Sequence, residues 1–104
     1  MKKDVKALIK RLTLLVQFTK VGKGWLAIDG DGATIHYSTR PVFLPSGESE
    51  SLDRWSLRVR GFNQKGTLLS QMDNMPLSMA CPSLTSREAL FYTDGETVWL
   101  VETK

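Results

Sequence analysis

The 104-residue sequence has a single cysteine, Cys81, and a single histidine, His36. One cysteine cannot close an internal disulfide, so the chain must stabilise itself by burial and hydrogen bonding, as expected of a protein from a reducing compartment. A lone histidine with a lone cysteine leaves no spacing for a zinc site. Phosphate-binding loops, dinucleotide-binding glycine patterns and serine-nucleophile elbows are absent too. A long apolar run is also missing. The stretch after Met1-Lys2-Lys3 is interrupted by Lys6, Lys10 and Arg11. It fits neither a signal peptide nor the ~20 apolar residues of a membrane span. The expectation is a cytoplasmic protein without a membrane association.

What is present suits one folded domain over residues 1–104. Hydrophobic residues make up 41% and charged residues 24%, a balance that can form a core and does not predict a disordered chain. Charge is unevenly distributed. Lys2, Lys3, Lys6, Lys10, Arg11, Lys20 and Lys23 put seven of the 14 basic residues in the first 23 positions, against Asp4 alone among the acids. A basic leading segment therefore precedes a mildly acidic body.

That segment predicts an amphipathic helix over residues 5–18. Val5, Leu8, Ile9, Leu12, Leu15 and Val16 recur at helical spacing, with Asp4 as N-cap and Gly22 and Gly24 as the stop. The lysines fall on the opposite face, with Leu14 and Phe18 on a flank. Beyond Gly24 the period becomes alternating. Residues 25–29 and 33–37 read as a hairpin turning at Asp31-Gly32, with Leu26 opposite Tyr37 and Ile28 opposite Ile35. Val42-Phe43-Leu44 reads as a short edge strand between prolines, and residues 46–51 as a polar loop. Residues 54–62 alternate with Trp55, Leu57 and Val59 on one face. Residues 67–71 return as another strand. Residues 72–86 read as irregular but apolar enough to pack on the body. Asp94-Gly95 between two β-rich runs predicts a two-residue hairpin with Phe91 opposite Val98. The expected fold is α+β: an N-terminal amphipathic helix packed on a curled antiparallel meander of five or six strands, dominated by local contacts.

Chemistry-bearing residues are few. His36 has no nucleophile or orienting group in any motif, and Cys81 lies between Ala80 and Pro82 without a basic neighbour. Asp29-Gly30-Asp31-Gly32 resembles the opening of a calcium loop, but Ala33 and Arg40 stand where that loop needs oxygen ligands. The expectation is a non-enzymatic protein with no metal, no cofactor and no small-molecule substrate.

Two surfaces carry more information. The last hairpin is apolar on both faces, which one helix cannot cover. Phe18, Trp25, Leu90, Tyr92 and Trp99 are the candidate anchors of a protein-binding module, of the regulator or inhibitor type, with a protein partner or a second copy as the occupant. The alternative is nucleic-acid binding through Lys3, Lys6 and Lys10 on the helix with Arg54, Arg58 and Arg60 on one strand face. It requires the two basic groups to adjoin.

Overall fold

The computed structural model describes residues 1–45, 53–71 and 75–102. The loop expected at 46–51 lies outside them, as do residues 72–74 of the irregular segment. The fold is α+β. The described residues comprise α1 (Lys3–Thr19), eight strands, a short α2 (Leu77–Ala80) and a 3-10 turn (Ser86–Glu88). The strands are β1 (Lys23–Ile28), β2 (Thr34–Tyr37), β3 (Val42–Leu44), β4 (Arg54–Val59), β5 (Phe62–Gln64), β6 (Thr67–Ser70), β7 (Leu90–Asp94) and β8 (Val98–Leu100). They form two antiparallel sheets: a main sheet in the order β6-β2-β1-β7-β8 and a small sheet in the order β3-β4-β5.

The helix forms for the reason its spacing gives: Val5, Leu8, Leu12 and Val16 make one buried stripe. Its start differs from expectation. Lys2 occupies the N-cap position without a side-chain cap. Asp4 instead sits in the first turn, where its carboxylate accepts the backbone N–H of Val5 and, from across the chain, that of Ser83 at 2.9 Å. Lys20 ends the helix in a left-handed conformation at φ 56°, so the stop comes before Gly22.

The sheet is not a meander. β1 bonds to β2 on one side and on the other to β7, far along the chain, in the register Trp25↔Tyr92 and Leu26↔Phe91. The expectation of mostly local pairing is thus corrected: the centre of the sheet closes only when the C-terminal hairpin arrives. The first hairpin also differs by one residue. Leu26 faces His36 and Trp25 faces Tyr37, so the faces are interchanged for β2 relative to the sequence reading. The cause is a wider loop, in which the Asp29 N–H donates to the Ala33 carbonyl and the Gly32 N–H to the Asp29 carbonyl. The last hairpin is wider than expected as well. Phe91 faces Leu100, not Val98, because Asp94 Oδ1 accepts the N–H groups of Glu96 and Thr97 and stabilises a longer turn. This shift of two residues keeps each side chain on its expected face.

The main sheet is covered on both sides. Leu26, Ile28, Phe91 and Val98 pack beneath α1, together with Leu77, Cys81 and Leu84 from the segment preceding β7. On the opposite face Ala27, Ile35, Tyr37 and Leu90 pack against Trp55 of the small sheet, with Phe43 and Leu57 at the margin. β4 ends earlier than the alternation suggested. Arg60 and Gly61 both take positive φ, 52° and 83°, in a two-residue turn that pairs Val59 with Phe62. Arg60 is therefore a turn residue and Phe62 begins the next strand.

Candidate functional site: an aromatic row reaching a free sheet edge

The site follows from the register of four adjacent strands. Tyr37 lies opposite Trp25, Trp25 opposite Tyr92, and Tyr92 opposite Trp99, so one cross-strand row on the outer face of the main sheet is entirely aromatic. Directly opposed rings on neighbouring strands touch. Trp25 and Tyr92 meet edge to face at 5.3 Å, and Tyr92 and Trp99 stack at 6.0 Å. The guanidinium of Arg40 lies 5.4 Å from the Trp25 ring centre, a cation–π contact at the covered end of the row.

Exposure rises along this row. Tyr37 is buried under the small sheet and its hydroxyl donates to the Trp55 carbonyl at 3.1 Å. Trp25 is half-buried, Tyr92 is 36% exposed and Trp99 48%. The small sheet covers the neighbouring row of Ile35, Ala27, Leu90 and Val101 but not the outer half of the aromatic one.

The row ends at β8, an edge strand of the main sheet. The Val101 N–H donates to the Leu90 carbonyl, which fixes the phase of the β7–β8 ladder. Alternation then turns the N–H and C=O of Trp99 toward Tyr92 and those of Val98 and Leu100 outward. No described strand bonds to that side. Beside it, between β8 and the first turns of α1, lies a groove of about 400 Å³ lined by Met1, Lys6 and Ile9 on one side and by residues 98–100 and Glu102 on the other.

Of the five anchors named from sequence, the structure brings together Trp25, Tyr92 and Trp99. Leu90 is fully buried beneath the small sheet and is not presented on the surface. Phe18, 86% exposed, belongs to α1 on the other side of the main sheet and does not join the row. Tyr37 and Arg40 escaped the sequence reading. Finding Tyr37 needed the correct β1–β2 register.

The basic residues do not form one surface. Lys3, Lys6 and Lys10 are exposed on α1, over one face of the main sheet. Arg54 and Arg58 belong to β4 and Arg60 to its turn, over the other face. The main sheet separates the two groups. Arg58 and Arg60 are exposed, while Arg54 is half-buried beside Trp55 and Lys65.

The reactive atoms of His36 and Cys81 are both buried. His36 Nε2 is buried without a hydrogen-bond partner among the described residues, against Gly24, where a Cβ would stand 2.7 Å away. Cys81 is buried and its thiol is pushed up to about 11, first by burial and then by the charge of Asp4 beside it, the opposite of an activated thiolate. Among the described residues no three His, Cys, Asp or Glu side chains gather as metal ligands. Nor, among the described residues, is any helix long and apolar enough to cross a membrane. Compared with protein-family models, curated proteins and solved structures, the chain matches none.

Proposed function

We propose that this protein is a binding module for another protein, contacted through the outer end of the aromatic row and the free edge of β8. The observation that carries this reading is the direction of the row: its rings become more exposed toward a strand whose outer backbone groups have no described strand beside them. Tyrosine and tryptophan supply large contact area with little entropy loss, and are favoured at the centres of protein interfaces. A strand edge offers a partner backbone hydrogen bonds in register.

The nucleic-acid reading has less support. Residues 88–102 contain Glu88, Asp94, Glu96 and Glu102 and no base, so the exposed end of the row is acidic ground for a phosphate chain. The helix lysines and the β4 arginines lie over opposite faces of the main sheet.

The test is quantitative co-purification from the source cell, comparing the protein with Tyr92→Ala/Trp99→Ala and with Lys3→Gln/Lys6→Gln/Lys10→Gln. The expected result is a protein whose recovery falls at least tenfold with the ring variant and is unchanged by nuclease or by the lysine variant. Recovery that depends on nuclease or on the lysines, and not on the rings, would overturn the reading.

A further inference from the structure

We infer that the outer face of α1 is a second contact surface, and that its occupant is the anionic headgroup layer of a lipid bilayer, on which the helix lies lengthwise. This surface is separate from the aromatic row and does not depend on the protein-binding reading.

The face follows from helical spacing. At about 100° per residue, Lys3, Ala7, Lys10, Arg11, Leu14 and Phe18 fall within one arc, on the side away from the buried stripe of Val5, Leu8, Leu12 and Val16. All six are exposed. Two of them are large and apolar: Leu14 is 60% exposed and Phe18 86%. Single exposed apolar residues are ordinary. These two stand four residues apart on the same line of the helix, beside Lys10 and Arg11. Asp4, the one acid of the segment, has its carboxylate taken by the N–H groups of Val5 and Ser83. Among the described residues, Lys3, Lys10 and Arg11 have no ion pair. Lys6 lies on the flank and shares the β8 groove with Glu102.

The bases do not serve the helix itself. Lys3, Lys6 and Lys10 are three and four residues apart, a spacing at which like charges destabilise a helix. Lys3 and Lys6 also stand toward the N-terminus, where the helix dipole disfavours cations, while the last turn has no base. An anion outside the molecule gives them a role.

Anionic occupants differ in what they offer Leu14 and Phe18. A nucleic acid brings phosphates to the lysines and bases to stack on a ring, but Leu14 has no face for stacking. A second copy brings the same cations against these. Two apolar side chains from each copy also fall far short of the roughly 1,200 Å² at which specific interfaces begin. A headgroup layer meets both parts of the face: its anions take Lys3, Lys10 and Arg11, and the acyl boundary beneath takes Leu14 and Phe18. Being fluid, it conforms to the convex side of a helix. The lack of a membrane span does not bear on such a contact, which needs only charge and a few exposed apolar side chains. α1 stays packed on the main sheet, and the aromatic row, on the sheet's other face, points away from the lipid.

The test is flotation of the full-length protein with vesicles of phosphatidylcholine alone and of a two-to-one mixture of phosphatidylcholine and phosphatidylglycerol. Partitioning into the mixture should be at least tenfold stronger and should fall steeply with salt. Lys3→Gln/Lys10→Gln and Leu14→Ser/Phe18→Ser should each weaken it at least fivefold. Arg58→Gln/Arg60→Gln, which removes the same charge from the opposite side of the main sheet, should weaken it less than twofold. All the replaced residues are exposed, and thermal unfolding checks each variant. Depth gives an independent readout. Trp25, Trp55 and Trp99, the three tryptophans of the chain, all belong to the side of the main sheet opposite α1. Brominated acyl chains should quench the native fluorescence little and the added fluorescence of Phe18→Trp strongly. Equal partitioning into the two kinds of vesicle, equal losses from the two charge variants, or native fluorescence quenched as strongly as that of Phe18→Trp would each overturn the inference. So would duplex DNA bound more tightly than the mixed vesicles and equally by Leu14→Ser/Phe18→Ser, which would assign the face to nucleic acid. None of these results touches the dependence of co-purification on Tyr92 and Trp99, so the two readings fail separately.

Discussion

The carboxylate of Asp29 accepts the backbone N–H of Trp55 at 2.8 Å, and this contact joins the two sheets. Asp29 follows β1 of the main sheet and Trp55 lies in β4 of the small one. The second carboxylate oxygen pairs with Lys65 at 2.8 Å, and Lys65 also donates to the Trp55 carbonyl. The Trp55 indole N–H donates to Ser86 at 2.8 Å. Around one buried residue, the small sheet is thus fixed over the inner part of the aromatic row, leaving the outer part open.

Asp29→Ala should therefore cost about 2–4 kcal/mol, because it leaves the Trp55 N–H buried and unpaired. Lys65→Ala should cost about 1 kcal/mol or less, since the lysine side chain is 42% exposed and solvent already screens the pair. Urea unfolding of the two variants checks the order. Equal losses would mean that the ion pair, and not the backbone contact, holds the sheets.

Two glycines separate close approach from mere conformation. A Cβ on Gly66 would lie 2.0 Å from the His36 carbonyl oxygen, backbone against backbone, so Gly66→Ala must move β6 away from β2. The expected loss is about 3 kcal/mol or more. Gly22 has φ 79° and open space around it, so Gly22→Ala should cost only about 1–2 kcal/mol. Thermal melts of both variants make the comparison; a smaller loss at Gly66 would contradict the β2–β6 pairing.

Stability should fall in alkali. The Cys81 thiol is raised from 9.0 to about 11 in the fold, so between those pH values the unfolded chain releases a proton that the folded chain retains. This contribution is intact below pH 9 and is lost as pH rises through 11. The Tyr37 phenol is also raised, by burial and by the charge of Asp29, and acts in the same direction. Urea midpoints at pH 8, 9, 10 and 11 should decline for the protein and decline less for Cys81→Ala. A flat profile would count against both burials. At pH 8 the native thiol should resist a disulfide reagent that labels the unfolded chain at once.

The tryptophan that packs over the row and the one at its open end should differ energetically. Trp55→Ala removes a buried ring and its hydrogen bond and should cost about 3–5 kcal/mol. Trp99→Ala removes a half-exposed ring and one stacking partner and should cost about 1 kcal/mol or less. Chemical denaturation measures both. A Trp99 loss as large as that of Trp55 would make Trp99 a core residue and remove it from the docking surface.

Much of this was legible in the sequence, in proportion to how local each signal is. The α1 stripe of Val5, Leu8, Leu12 and Val16 is read from spacing alone. So are the faces of β7 and β8, where a slip of two residues leaves side chains in place. The β1–β2 faces were not legible. The main sheet is buried on both sides, so Leu26 and Ala27, or Thr34 and Ile35, are equally at home inside, and alternation loses its power to fix register. The turn at Arg60 escaped because an arginine with positive φ carries no sequence signal. Trp25, Tyr92 and Trp99 were recognisable as candidate anchors, but their alignment depends on the long-range β1–β7 pairing. The separation of the lysine and arginine groups depends on the small sheet folding across the face opposite α1.

The most direct test of the docking surface is site-specific photo-crosslinking in the source cell, with a benzophenone amino acid replacing Trp99 and, in parallel, Arg58. The account requires a discrete protein adduct from position 99 that is lost when Tyr92 is also replaced by alanine, and none of that mass from position 58. An adduct from position 58 alone, or a nucleic-acid adduct at either position without a protein adduct at 99, would contradict it.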